Sequence, residues 1–394
     1  MRGLRKLFAP LTMIAAATAL VACTSTNIGN FETTEPPPQP GEPPPTAPIG
    51  TGQIRVALIL PLSAPGNAGV AAVSMRNAAE MALAEFKNPN IQLLVKDDGG
   101  NPQSAQAAAT QAIGEGAEII IGPLFAQAVN AVGVVARQRG VPVIAFSTDA
   151  SVATRGVYLL SFLPETDVRR IVDYQISRGK RSFAALLPDN AYGTVVQGAF
   201  QQEVASRGGR VLTIEKYTGD ATRIAESARR VAQVAAQVDN IFIPDGADGV
   251  AQVVRALEAN RVNLRRVQLL GTGLWDDPRI FAERSLDGAL YAAPEAEGFR
   301  NFSARYRARF SQDPVRTATL AYDAVALVAA LVKTQGAQRF SEQVLTNSSG
   351  FAGIDGVFRF RPDGTSDRGL AVLRVTPTGP QVVSPAPRSF RPGT

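Results

Sequence analysis

The sequence predicts an α/β protein made of two lobes, each with a mostly parallel sheet flanked by helices. Short apolar runs rich in branched residues, the first at Ile54–Leu60, are typical of strands that are buried on both faces. A Pro-, Gly- or Ser-containing loop and then a helical pattern follow each run, the first over residues 70–86. This alternation recurs through both halves of the chain, which favours an α/β class over separate α and β regions.

The first 23 residues are interpreted as a lipoprotein signal peptide, with a basic start and an apolar run over residues 11–21. The run ends in Leu-Val-Ala-Cys at residues 20–23, which matches the bacterial lipobox, where the cysteine is acylated. An ordinary secretory signal followed by a chance cysteine is the alternative. Cys23 is the only cysteine, so no disulfide can form within the chain. We expect Cys23 to carry a lipid anchor.

Residues 24–52 lack an apolar period and are crowded with proline, which predicts a disordered, extended tether. At roughly 3.1 Å per residue, this tether could hold the folded part up to about 90 Å from the lipid. A proline-rich docking peptide is the alternative. The folded domain is expected over residues 53–378, with a C-terminal tail over residues 379–394.

Composition excludes several functional classes. The chain has no histidine, which removes Ser-His-Asp triads and the usual zinc sites. The formal net charge of +6 falls to +3 without the signal peptide, and the few aromatic residues and scattered arginines predict no nucleic-acid binding. There is no phosphate-binding loop and no complete G-x-G-x-x-G motif. We expect no catalytic residues, no metal and no cofactor, and we interpret Asp97–Asp98 and Asp276–Asp277 as helix caps.

The order of the predicted elements divides the domain into two lobes. The expected boundaries are about 53–161 and 291–351 for the first lobe, and about 162–290 and 352–378 for the second. The chain would then cross between the lobes near residues 162, 290 and 352. Three crossings predict a three-strand hinge that is suited to opening and closing.

The last third of the chain carries two further predictions. Helical patterns over residues 299–310 and 317–333 have no strand between them and are expected to cover the first lobe. Two strands over residues 354–360 and 370–376 flank the Pro-Asp-Gly turn at 362–364. They are predicted to pair as an edge hairpin on the second lobe.

The chain resembles the type I periplasmic solute-binding proteins, specifically the branched-chain amino-acid receptor (leucine-binding protein) family. The resemblance covers about residues 53–378 in family order. The stretches that carry it are V-A-L-I-L-P-L-S-A-P-G, K-D-D-G-G-N-P, I-I-I-G-P-L, G-V-P-V-I-A-F-S, D-N-A-Y-G, L-A-Y-D-A-V and G-V-F-R-F-R-P-D-G. It implies a ligand between the lobes, held by loops at the strand ends.

The resemblance also implies which residues face the ligand. Carried over position by position, they are Ser63, Phe125, Ala126, Ser147, Thr148, Asp149, Tyr192, Gly246 and Gly273. Asn67 lies in the same loop as Ser63, and both could instead cap a helix. Tyr192 could instead cover the hinge, and Phe125 could be a cleft plug or a core residue. Trp275, the only tryptophan, is either a stacking surface in the cleft wall or an anchor for a partner.

The sequence departs from the amino-acid receptors at the two charge-pairing positions. Those receptors usually place a hydroxyl where Ala126 lies and an acid near Gly273. The nearest acids in the sequence are Asp245, Asp276 and Asp277, of which Asp245 and Asp276 are the candidates for the cleft. A desolvated zwitterion needs both of its charges paired. We therefore expect no binding of leucine, isoleucine or valine below about millimolar, which is only about 4 kcal/mol.

A subgroup resembles this chain more closely. The runs I-G-P-L-F-A-Q-A and V-P-V-I-A-F-S-T-D, together with the lipobox and the proline tether, are similar to the penicillin-binding protein activator lipoproteins. That resemblance implies a regulator that stimulates a peptidoglycan synthase across the periplasm. Thr24, rather than aspartate, follows Cys23, which favours the outer membrane. The alternative is the receptor of an ABC-type amino-acid importer, which would bind a small polar ligand through Ser63, Ser147, Thr148 and Tyr192 and dock on a permease.

The lipobox generates a direct prediction. Replacing Cys23→Ser removes the thiol that would be acylated, so the variant is expected to appear in the soluble periplasmic fraction while the unchanged protein fractionates with membranes. Western blotting of the fractions after detergent-free washing measures this. A variant that stays with the membranes through those washes contradicts the lipobox interpretation.

Overall fold

The computed structural model of the chain describes residues 46–390. The predicted signal peptide, Cys23 and most of the predicted tether lie outside the described residues. The helices are α1 Asn67–Glu85, α2 Pro102–Gly114, α3 Ala126–Gln138, α4 Pro164–Ser177, α5 Ala191–Ser206, α6 Ala221–Val234, α7 Ala247–Ala259, α8 Pro278–Ala282, α9 Ala296–Phe310, α10 Ala318–Thr334 and α11 Glu342–Leu345. The strands are β1 Ile54–Leu60, β2 Ile91–Asp97, β3 Ile119–Ile121, β4 Val143–Ala145, β5 Val157–Leu159, β6 Ser182–Pro188, β7 Arg210–Tyr217, β8 Asn240–Phe242, β9 Gln268–Gly271, β10 Leu290–Ala293, β11 Phe351–Gly353, β12 Gly356–Phe360, β13 Ser366–Arg368, β14 Ala371–Thr376 and β15 Gly379–Ser384.

The first lobe is built on a five-stranded sheet with the order β2-β1-β3-β4-β5. Every pair in this sheet is parallel. Helices α1 and α10 pack on one face and helices α2 and α3 on the other. Because both faces are covered, the strands carry continuous apolar runs rather than an alternating pattern, as the sequence predicts.

The second lobe is built on a seven-stranded sheet with the order β15-β14-β10-β9-β8-β6-β7. Strands β6 to β10 run parallel. Strand β14 is antiparallel to β10, and β15 is antiparallel to β14. Helices α6 and α7 cover one face, and α4 and α5 cover the other. The α/β class and the two lobes are therefore as the sequence predicts.

The helices of the last third lie where they are predicted. Phe302 and Tyr306 of α9 pack with Met81 of α1. Helix α10 contributes Leu320 and Val328 to the core on the face of the first sheet that α1 also covers. Both helices therefore cover the first lobe. No helix among residues 46–390 is both long enough and apolar enough to cross a bilayer.

The predicted edge hairpin is wrong. Strand β12 pairs with β11 and β13 in a separate three-stranded sheet, whereas β14 pairs with β10. Phe358 and Phe360 of β12 are completely buried in the core of the first lobe. Burial of these two rings holds residues 351–368 on the first lobe. Residues 352–368, which were expected in the second lobe, therefore belong to the first.

The path between the lobes differs accordingly. Within residues 46–390 the chain passes from one lobe to the other three times, after β5, after β10 and after β13. The third passage lies at residues 369–370 rather than near 352, because β13 still belongs to the first lobe. The predicted tail is also partly wrong, since residues 379–384 form β15, the edge strand of the second sheet.

The predicted tether ends earlier than residue 52. The backbone of Ile49 exchanges two hydrogen bonds with Leu93 of β2, at 3.0 and 2.8 Å. The Ile49 side chain packs against the core of the first lobe, and the N–H of Gly52 donates to the carbonyl of Ile91 at 3.1 Å. The folded part of the chain therefore begins by Ile49.

Docking of this segment predicts a measurable contribution to stability. Ile49→Ala keeps the backbone hydrogen bonds and removes apolar contact, so we expect the free energy of unfolding to fall by about 1 kcal/mol, less than the ~2–5 kcal/mol of a fully buried Ile→Ala change. Denaturant titration measures it. Thr51→Ala, at an exposed position of the same segment, is the control and should have no effect. Equal stability of the two variants would mean that Ile49 does not contribute to the fold.

Candidate functional site: an interlobe cleft

The parallel strands of both lobes bring their carboxyl-end loops to one edge of each sheet, where ligands of doubly wound folds bind. In the first lobe these loops follow β1, β2, β3 and β4. In the second lobe they follow β6, β8 and β9. The residues predicted to face the ligand lie in or next to these loops, and their local geometry decides which of them can do so.

Ser63 is held at the end of β1 by its backbone. Its N–H donates to Asp97 Oδ1 at 3.1 Å, and the same oxygen accepts the N–H of Gly99 at 2.9 Å. The Ser63 side chain is exposed, and its hydroxyl forms no hydrogen bond with a described residue. Asp97 thus joins the loops after β1 and β2 and leaves the Ser63 hydroxyl available.

Phe125 and Ala126 form the start of helix α3. Phe125 is its N-cap residue, and no side chain caps the helix. The half-buried Phe125 ring packs on the apolar cluster of the first lobe and lies next to Gly100. Phe125 therefore closes the core of the lobe at the strand ends, and the uncapped N–H groups of α3 favour negative charge at this point.

Ser147, Thr148 and Asp149 follow β4 and differ in exposure. Ser147 is buried, and its hydroxyl oxygen accepts the N–H of Asp149 at 3.1 Å. Thr148 and Asp149 are exposed. Asp149 Oδ1 accepts the N–H of Ser151 at 2.9 Å and so caps the short helical turn that follows. Thr148 is the residue of this loop whose side chain has no described partner.

Tyr192 forms a polar wall in the second lobe together with Thr272. The two hydroxyl oxygens lie 2.8 Å apart, with Tyr192 half-buried and Thr272 completely buried. Burial, and secondly the charge of Asp167, raise the pKa of the Tyr192 phenol well above its usual range. Tyr192 therefore stays neutral, with its hydroxyl bonded to that of Thr272.

Asp167 is the residue that the sequence did not point to. Its Oδ2 accepts the N–H of Gly273 at 2.9 Å, while no described residue donates to its Oδ1. Burial raises its pKa to about 7, against the lowering effects of the Gly273 hydrogen bond and of the Arg368 charge. The acid bonded to the Gly273 backbone is therefore Asp167, from the first turn of α4, rather than Asp245, Asp276 or Asp277.

Asp245 and Asp276 are held by tyrosines instead. Asp245 Oδ2 accepts the hydroxyl of Tyr217 at 2.7 Å, and its Oδ1 accepts the N–H of Gly246 at 2.8 Å. Asp276 Oδ1 accepts the hydroxyl of Tyr291 at 3.1 Å. Burial raises the pKa of Asp245, and its two bonded oxygens shape its own loop. Asp276 is exposed.

Glu165 adds a further carboxyl beside Asp167, in the first turn of α4. Its Oε2 is buried and has no hydrogen-bond partner. Burial raises the pKa of Glu165, its own backbone N–H and Arg169 oppose the rise, and Asp149 of the first lobe adds to it. The charge of a first-lobe carboxyl thus acts on a carboxyl of the second lobe, and an added cation would relieve both.

Trp275 does not belong to the site. Its side chain is completely buried in the core of the second lobe, packed against Gly271. Its indole N–H donates to the carbonyl of Ile243 at 3.1 Å. Both interpretations of this residue, as a stacking surface in the cleft and as an anchor for a partner, are therefore wrong.

The capping predictions are correct only in part. Gly66, with φ of 65°, is the N-cap residue of α1, so neither Ser63 nor Asn67 caps that helix. Asn67 is exposed at its first position. Asp277 caps α8 by accepting the N–H of Arg279 at 2.8 Å.

Among residues 46–390, no group of three or more acidic or other ligating side chains is arranged to hold a metal ion. What the cleft offers is hydroxyl groups, free carboxylate oxygens and helix N–H groups between two lobes. This arrangement, on parallel sheets joined by three crossings, defines a type I periplasmic solute-binding fold.

The chain belongs to the periplasmic binding protein family, whose sequence model matches residues 53–380. Among solved structures it is similar to a protein of Rhodospirillum rubrum that is provisionally described as a branched-chain amino acid ABC transporter. The TM-score is 0.74 with 19% identity, over 84% of this chain and 99% of that one. A solute-binding protein of Rhodopseudomonas palustris, in complex with 3,4-dihydroxybenzoic acid, has a TM-score of 0.59 with 20% identity, over 86% of this chain and 97% of that one.

A curated relative also matches. It is an uncharacterised protein of Rickettsia prowazekii, 21% identical over 179 residues, which are 45% of this chain and 47% of the relative. The match thus spans about half the length of the relative. At these identities the solved structures establish the fold, and the family match establishes a solute-binding class of protein.

A buried carboxyl at the cleft edge of the first lobe generates a test by pH. Asp98, predicted to cap a helix together with Asp97, is completely buried. Its Oδ1 accepts the N–H of Gly100 at 2.8 Å, its Oδ2 has no partner, and the N-cap residue of α2 is Asn101. Burial, opposed by the Gly100 hydrogen bond, raises the pKa of Asp98 from 3.8 to about 6.

Between pH 3.8 and about 6 the folded protein therefore binds more protons at Asp98 than the unfolded chain does, so this carboxyl lowers stability as pH rises through that window. Asp98→Asn removes the effect. The stability of the variant relative to the unchanged protein is expected to improve by up to about 3 kcal/mol between pH 4 and pH 7, measured by denaturant titration at each pH.

Asp239→Asn is the matched control of opposite sign. Burial alone would raise the pKa of Asp239, but hydrogen bonds from the Ser182 hydroxyl and from the N–H groups of Ser182 and Arg181 lower it. Its carboxylate thus stabilises the protein above its ordinary pKa, and the stabilisation is lost as pH falls through the lowered value. Relative to the unchanged protein, Asp239→Asn should therefore lose stability as pH rises up to about 3.8 and show no further change between pH 4 and pH 7. Parallel pH profiles for the two variants would contradict this assignment.

Proposed function

We propose that the chain is the solute receptor of an ABC-type importer and binds a small polar solute that carries an ammonium group between its lobes. The observation that carries the proposal is the free Oδ1 of Asp167, next to the Tyr192–Thr272 hydroxyl pair. Family membership supports the receptor class. It also supports a location outside the cytoplasm and a permease as partner, with no catalytic role.

The ammonium follows from the charges at the base of the cleft. Asp167 and Glu165 each have a carboxylate oxygen without a hydrogen-bond partner. An ammonium donates up to three hydrogen bonds and neutralises the charge that burial disfavours. A purely acidic solute, such as the 3,4-dihydroxybenzoic acid of the Rhodopseudomonas neighbour, would meet repulsion from these carboxyls.

The sequence analysis expects that neither the ammonium nor the carboxylate of a bound amino acid finds a partner, and Asp167 changes this expectation for the ammonium. Asp167 supplies the acid that the sequence lacks near Gly273. On the carboxylate side Ala126 offers no hydroxyl, and the uncapped N–H groups of α3 are the donors that remain. The weak binding of leucine, isoleucine and valine stays a prediction and now rests on the carboxylate side alone.

Acylation of Cys23 and anchoring in the outer membrane are further proposals, supported by the lipobox and by Thr24. So are the 24–48 tether and the use of Ser63, Thr148 and Asp276 as ligand contacts, which their exposure supports. Stimulation of a penicillin-binding protein also stays a prediction. It rests on sequence runs and on the anchored tether, and the family match favours the receptor function over it.

The receptor function is tested by titrating refolded protein with small amines, amino acids and 3,4-dihydroxybenzoate in a calorimeter. We expect saturable binding of at least one amine. Asp167→Asn removes a charge-assisted hydrogen bond of ~1.5–3 kcal/mol and should weaken binding by at least about tenfold. Tyr192→Phe removes a neutral one of ~1 kcal/mol, about fivefold in affinity.

Asp313→Asn is the control, because Asp313 is an exposed acid paired with Arg307 at 2.8 Å. It should leave affinity unchanged. Tight binding of the benzoate instead of an amine would overturn the assigned charge of the solute. Absence of all binding, combined with stimulation of a peptidoglycan synthase in a reconstituted assay, would favour the activator function.

A further inference from the structure

Arg368 is a buried cation without a hydrogen bond. It ends β13, directly before the third passage between the lobes, and only 7% of the residue is exposed. None of its three guanidinium nitrogens has a hydrogen-bond partner. The guanidinium carbon lies 4.9 Å from the ring centre of Phe162, in the first passage, and 5.8 Å from that of Phe358.

Leaving a buried guanidinium without acceptors is costly, so the charges around Arg368 are informative. Burial lowers the pKa of Arg368, and the nearby charge of Arg316 lowers it further. Asp355, Asp323 and Asp167 oppose this and favour its charged form. Asp355 is already occupied. Arg316 donates to both of its oxygens, at 2.9 and 2.6 Å, and the Thr319 hydroxyl donates to Oδ2 at 2.6 Å.

The other two carboxylates each retain one free oxygen. Asp323, on α10 of the first lobe, accepts the N–H of Ile354 with Oδ1 at 2.8 Å, and its buried Oδ2 has no partner. Asp167, on α4 of the second lobe, accepts the N–H of Gly273 with Oδ2, and its Oδ1 is free. The charges of Asp323 and Asp167, one carboxylate from each lobe, therefore both act on Arg368, which is hydrogen-bonded to neither.

We propose that Arg368 is a hinge switch that pairs with Asp167 when no solute is bound and with Asp323 when the solute occupies the cleft. The proposal rests on the proposed receptor function, since the ammonium of the solute is the group that takes Asp167. Once that charge is satisfied, the remaining free acceptor for Arg368 is Asp323, within the lobe that carries Arg368 itself.

The direction of the switch follows from this competition. A receptor of this fold holds its solute with the lobes closed. The solute-bound state is the state in which Arg368 has left Asp167, so the Arg368–Asp167 pair belongs to the open state and the Arg368–Asp323 pair to the closed one. Neutralising one carboxylate should therefore shift the lobes in one direction, and neutralising the other should shift them in the opposite direction.

The test measures lobe separation without any solute. Spin labels on Asn130→Cys and Val195→Cys, both exposed and near the starts of α3 and α5, report the distance across the cleft. The full chain is used with Cys23→Ser, so only the two introduced thiols react. Asp167→Asn and Asp323→Asn keep the oxygens that accept Gly273 and Ile354, so each variant removes charge with little change of shape.

We expect Asp167→Asn to raise the ratio of short to long distances about tenfold and Asp323→Asn to lower it by a similar factor, as for loss of one charged hydrogen bond. In an Arg368→Met background neither change should shift the distances, and Asp313→Asn should be silent in every background. Opposite shifts of the expected sign support the switch even if Arg368→Met does not fold. Shifts of equal sign, of reversed sign, or none overturn it.

Because no solute enters this experiment, failure of the receptor function appears only in the calorimetric titrations, and failure of the switch appears only in the distances. If an amine binds but neither Asp→Asn change alters the distances, the receptor function is supported and the switch is contradicted. If the two changes shift the distances in opposite directions but no amine binds, the two alternative ion pairs of Arg368 are supported, and the proposed part of the solute in exchanging them is contradicted.

Discussion

The hydrogen bond from the Gly273 N–H to Asp167 joins two parts of the chain that are 106 residues apart. It fixes the first turn of α4, which directly follows the first passage between the lobes, against the loop after β9. Thr272 directly precedes Gly273, and its hydroxyl lies 2.8 Å from that of Tyr192. The bond therefore ties the start of α4 to the wall of the cleft that Tyr192 and Thr272 form.

Burial of charge is the common theme of the site and of the hinge. Water is the best environment for an ion, so each buried carboxyl or guanidinium needs a partner or loses its charge. Both oxygens of Asp355 accept hydrogen bonds, whereas Asp167 and Asp323 each have one oxygen that accepts none from a described residue. An additional cation or a small rotation of the lobes can supply the missing hydrogen bond.

Under the proposed function, the amino-acid signature would be rearranged in this chain rather than lost. The acid bonded at Gly273 is Asp167, which α4 contributes instead of the loop after β9. Ala126 supplies no hydroxyl at the other charge-pairing position. Such a cleft would favour solutes recognised through an ammonium, which is the class of solute that we propose.

The sequence by itself determined the elements and their class. Apolar runs and Gly and Pro turns are local signals, and they predicted the strands, the helices over the first lobe and the loops that carry Ser63, Ser147 and Tyr192. The tertiary structure alone decided the pairing of β14 with β10, the burial of Trp275 and the contact of Asp167 with Gly273. These three features depend on which distant parts of the chain pack together. The periodicity of apolar residues indicates that a residue is buried, but it does not indicate which residues it packs against.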